Sequence, residues 1–158
     1  MTEGTRWQFV GLIAGLVILH FVLRVGLGLG FYVPDLLTVA LLLAARRMRA
    51  GAAAGLGVLF GVLDGAVNPF TMGASALVLA VLGYLASRSR EVLAGDSPVL
   101  LVAFLGLGKY LFDAFLWGVL SSRSLAGPAS VLFTLSPLAA LYAAAAGLAA
   151  VTVYRALV

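Results

Sequence analysis

The segment Pro34-Asp35-Leu36-Leu37 opens an apolar run that ends at Arg46-Arg47-Met48-Arg49, and the next apolar run closes on Phe60-Gly61-Val62-Leu63-Asp64-Gly65. Each run carries an acid at one end, with the arginines at the other. An acid within hydrocarbon is costly, so two acids placed this asymmetrically point to an oriented membrane fold with a polar feature near one face.

Composition agrees. The chain has 158 residues, 63% hydrophobic and only 10% charged, and apolar runs long enough to span a bilayer occupy most of it. No stretch is left for a separate soluble domain. The +4 net charge is spread over several loops, which argues against a nucleic-acid surface. With no cysteine and one histidine, thiolate chemistry, disulfides and histidine-rich metal sites are excluded. The first apolar run lacks a small-x-small cleavage site, and the first helix is read as retained.

Six spans follow, about 7–23, 34–49, 51–67, 72–87, 98–120 and 130–153. The second reaches membrane length only if its helix continues through Arg49, with the arginines snorkelling to the interface. Pro34 suits a first helical turn, and Asn68-Pro69 and Gly127-Pro128 break the chain between helices. Six crossings with a cytoplasmic N-terminus put Arg6, Arg46, Arg47, Arg49, Arg88, Arg90 and Arg155 inside and Arg123 outside, as the positive-inside rule requires. Both termini are then cytoplasmic, and the fold class is an all-α integral membrane bundle. Trp7, Trp117, Phe31, Tyr32 and Phe70 fall near the expected interfaces, where aromatic belts form.

Gly57, Gly61 and Gly65 recur every fourth residue, a small-residue stripe that permits close helix approach. Asp64 lies on nearly the same face, so its carboxylate is expected to point into the bundle or towards a partner. Of the ionisable residues in or beside the apolar runs, His20/Arg24 and Lys109/Asp113 are each four apart and share a helix face. Lys109 and Asp113 read as a self-neutralising pair that fixes packing. A proton relay would need a chain of acids that the sequence does not supply. Arg24, Asp35 and Asp64 lie at similar depth near the outer face, and Arg24 is expected to pair with at least one of the two acids. Asp35 in a first helical turn also favours the helix dipole, whereas Asp64 near a C-terminal end opposes it. Asp64 is therefore the acid that most needs a specific partner. His20 reads as a satisfied interior residue. Met72-Gly73-Ala74-Ser75-Ala76 lacks the final glycine of an intramembrane serine protease motif, and no catalytic constellation is read from the chain.

The order Pro34-Asp35-Leu36-Leu37, Arg46-Arg47-Met48-Arg49, Gly57 through Gly65, Met72-Gly73-Ala74-Ser75-Ala76-Leu77 and Gly83-Tyr84-Leu85 resembles the rod shape-determining MreD family over about Tyr32–Arg90. The resemblance implies a non-enzymatic, cofactor-free, multi-pass subunit of the bacterial cytoplasmic membrane. It would bind MreC and, through it, connect with MreB filaments, a SEDS glycosyltransferase and its penicillin-binding protein in lateral peptidoglycan synthesis. The family-like positions are Pro34, Asp35, Phe60, Gly61, Asp64 and Gly65; Lys109 and Asp113 match no family pattern. In fold the family is similar to the S components of energy-coupling-factor vitamin transporters, six short helices with both termini inside. That supplies an alternative: a vitamin-binding S component, with Arg24, Asp35, Asp64 and Trp117 lining a pocket and Gly11 and Gly15 offering a surface to a transport partner. Against it, the outer loops look too short and apolar to close over a ligand.

Overall fold

The computed structural model describes residues 3–26, 34–89, 97–122 and 128–157. Phe31, Tyr32, Arg90, Arg123 and Gly127 lie outside the described residues. Among the described residues the chain is helical, with no strand: α1 (Glu3–Phe21) running into a π-helical turn (Val22–Gly26), α2 (Leu36–Ala45), α3 (Ala50–Val67), a 3₁₀ turn (Pro69–Thr71), α4 (Met72–Ser89), α5 (Pro98–Ser121) and α6 (Ala129–Leu157). Among the described residues, five segments are long and apolar enough to cross a membrane, and α2 is a shorter apolar helix.

The expected 34–49 span is therefore corrected. The helix begins after Asp35 and stops at Ala45, and Arg46–Arg49 form the turn into α3. All ten residues of α2 are buried, and it contacts each of the other five helices. A helix apolar on every side and sheathed by protein has no lipid face, so it need not match the bilayer thickness. It ends where the arginines begin, because a cation has no partner in that core. The turn is held from outside: the Ser87 hydroxyl donates to the Met48 carbonyl at 2.7 Å, and the Arg47 guanidinium lies 3.8 Å from the centre of the Phe9 ring.

The glycine stripe of α3 is spent on α4. A Cβ at Gly57 would strike the Leu79 carbonyl, one at Gly61 the backbone of Ala76, and one at Gly65 the Met72 side chain and Cα. Contacts that climb α3 thus descend α4, so the two helices are antiparallel with their backbones nearly touching. In an apolar solvent such approach supplies the van der Waals contact that association requires. The outer surface is apolar: Trp7, Ile18, Phe70, Val99, Phe133 and Leu138 are all exposed.

The bundle has two chemically distinct ends. One gathers the start of α1, the arginine turn, the end of α4 and the end of α6, with Arg47 on Phe9 and Phe9 edge-on to Tyr154 at 6.4 Å. Both chain ends of the helical bundle lie there. The other end gathers His20, Arg24, Asp35 and Asp64.

Candidate functional site

Arg24 sits on the π-helical turn that prolongs α1, one turn beyond His20, and its NH1 lies 3.5 Å from His20 Nε2. Arginine only donates, which gives Nε2 the acceptor role. The same NH1 donates to Asp64 Oδ1 at 2.7 Å, while Asp64 Oδ2 accepts from the buried Ser75 hydroxyl at 3.1 Å. Asp64 therefore ties α1, α3 and α4 together. The unfavourable position of an acid near the end of α3 is offset by a cation and a hydroxyl from two other helices.

Asp35 caps α2, accepting from the Thr38 amide at 3.1 Å and the Thr38 hydroxyl at 2.7 Å. This is the helix-start chemistry expected of it, but it is half of the role. Lys109, midway along α5, reaches Asp35 at 3.1 Å as well as Asp113 at 2.5 Å. The pair read within α5 is thus a three-membered group that docks the central helix onto α5. Its lysine side chain is 9% exposed and also lies over the Phe112 ring, 4.8 Å from its centre.

Arg24 accordingly takes Asp64, and Asp35 goes to Lys109. The expected pairing of Arg24 with at least one of the two acids is met at Asp64, and the charged residues form two ion-pair groups. Helical spacing shows only neighbours on the same helix, so the bridge from Lys109 to Asp35, 74 positions apart in the chain (109 minus 35), left no local trace. Ser75, considered in the sequence only as a nucleophile, is a donor to Asp64. Its place one turn into α4, opposite Gly61, was the available clue. Gly61 and Gly65, candidates for partner contact, are covered by α4.

Between the two ion-pair groups lies a cavity of about 920 Å³. Its polar wall holds His20, Arg24, Asp35, Asp64, Lys109 and Asp113, and its apolar wall comes chiefly from Phe112, Trp117, Leu132, Leu135 and Leu138. Two cations face three carboxylates, so the lining carries one formal negative charge in excess when His20 is neutral. Among the described residues no group of three His, Cys, Asp or Glu is arranged to hold a metal ion. Comparison with protein-family models, with curated proteins and with solved structures gives no match.

Proposed function

We propose that this chain is a membrane subunit of a bacterial rod complex, of the MreD type, which binds a single-span partner such as MreC. In that role it helps direct lateral peptidoglycan synthesis. The observation that supports this reading is the work done by the residues that carry the resemblance. Asp35 and Asp64 join helices through ion pairs, Gly61 and Gly65 seat α4, and Phe60 is in the buried core. A motif spent on holding a rigid bundle suits an adaptor, whose task is to present a fixed surface to partners. The basic end, with Arg46, Arg47, Arg49, Arg88 and Arg155, is assigned to the cytoplasm by the positive-inside rule. The cavity end then faces outward, and both termini are inside.

Co-expression with MreC and purification through a tag on either protein is the direct test. Stable co-elution is expected, together with cell widening on depletion in a rod-shaped host; normal width and elongation after deletion would remove the reading. A C-terminal reporter active only outside the cytoplasm would reverse the orientation.

A second reading is favoured by the cavity. Arg24, Asp35, Asp64 and Trp117 all line it, and the faces of Gly11 and Gly15 are open, with nothing within 4 Å of a built Cβ. Both features suit an S component of a vitamin transporter. Recovery of a bound water-soluble vitamin, or co-purification with an energy-coupling module, would favour that reading over the adaptor.

A further inference from the structure

The cavity between the ion pairs adjoins a second, almost wholly apolar one. This groove of about 690 Å³ runs between α1 and α6 over the start of α2, lined by Leu12, Leu16 and Leu19 on one side and Ala146, Ala149 and Ala150 on the other. Pro34 and Tyr142 belong to the walls of both. Along α1 the lining extends from Gln8 to Leu23, roughly 22 Å at the helical rise. Volume over length gives a cross-section of roughly 30 Å², which admits an extended alkyl chain.

The charges say which head the chain carries. Arg24 serves a single carboxylate, Asp64, whereas Lys109 is divided between Asp35 and Asp113. Asp35 has two further donors from Thr38 and Asp113 has one, from Ser136, so Asp113 is the carboxylate with fewer donors. A purely anionic head would add to the negative excess of the lining in a low-dielectric site. A head with both signs adds no net charge, its ammonium donating to Asp113 and its phosphate accepting from Arg24. A primary ammonium can donate such hydrogen bonds and a quaternary one cannot.

We propose that the two adjoining cavities form a site for a zwitterionic aminophospholipid, with the phosphoethanolamine head between the ion pairs and one acyl chain in the α1–α6 groove. The site rests on neither functional reading above, and a lipid there would be a built-in part of the bundle at its cavity end.

The test is native mass spectrometry of the full chain released from nanodiscs containing equal parts phosphatidylethanolamine, phosphatidylglycerol and phosphatidylcholine with matched chains. One phosphatidylethanolamine is expected to remain bound, preferred by about tenfold, the worth of one charge-assisted hydrogen bond. Asp113→Asn leaves the Lys109–Asp35 bridge in place and is expected to abolish the preference. Ala149→Phe, at an exposed position in the groove wall, is expected to lower retention of all three lipids. Equal retention of the three heads by the unaltered chain would overturn the proposal. So would retention unaffected by Ala149→Phe, or thermal stabilisation by soluble glycerophosphoethanolamine equal to that given by the lipid. The head-group comparison and the groove variant decide the matter even if Asp113→Asn does not fold.

Discussion

Replacing Gly61 with alanine adds one carbon at the tightest place in the bundle. That carbon would overlap Cα and N of Ala76 and the carbonyl carbon of Ser75, all main-chain atoms that no rotamer change can withdraw. Non-bonded carbons rest at about 3.5–4.0 Å and the built Cβ lies 2.2 Å from the Ala76 Cα, so α3 and α4 would have to part by roughly 1.3–1.8 Å. Gly57 and Gly65, on the same stripe, would lose contact as a result. Overpacking of this kind costs about 3 kcal/mol at the upper end of its usual range. Alanine returns about 1 kcal/mol through its better helix propensity. The net loss of about 2 kcal/mol lowers the midpoint of thermal unfolding by about 4–8 °C for a chain of this size. Gly15→Ala is the matched control, because nothing lies within 4 Å of its built Cβ. It keeps the propensity gain without the clash and is expected to melt at or above the temperature of the unaltered protein. The assay is thermal unfolding of both variants in one detergent, followed by circular dichroism. Equal midpoints for the two would refute the close α3–α4 packing.

The ion pairs give three further expectations. Asp64→Leu strands Arg24; a fully buried pair would lose about 3–5 kcal/mol, but these side chains are 26% and 13% exposed, which reduces the expected loss to about 2 kcal/mol. The double variant Arg24→Met/Asp64→Leu is expected to recover part of that loss in the same unfolding assay, and a double variant no better than the single would show that the charges are not coupled. Lys109→Met leaves Asp35 and Asp113 without their cation and is expected to reduce the yield of folded monomer on size exclusion sharply, while Asp113→Asn stays within about 1 kcal/mol of the unaltered chain; the reverse order would mean that Lys109 does not dock α2 onto α5. Ser75→Ala removes the 3.1 Å donor to Asp64 and is expected to cost about 1–2 kcal/mol, with no loss indicating that Arg24 alone satisfies the carboxylate.

Sequence patterning located the helices well, because long apolar runs bounded by arginines, proline and glycine leave few alternatives. Its error fell on α2. Ten apolar residues carry the same composition whether they face lipid or protein, and only the five surrounding helices show that this one is the core. The glycine stripe likewise announced a close contact without saying with what. An empty helix face looks the same whether a neighbour in the chain or another protein fills it, and here α4 fills it.

The polar residues divide along the same line. The sequence by itself determined that the chain is helical and apolar enough for a membrane, that His20/Arg24 and Lys109/Asp113 share faces, and that Asp64 needs a partner. These follow from helical period and the cost of buried charge, both local properties of the chain. Only the tertiary structure decided that Arg24 answers Asp64, that Lys109 is shared with Asp35, and that a cavity with one carboxylate in excess opens between them. Those pairings join residues tens of positions apart, and which acid meets which cation is set by how the helices pack around α2.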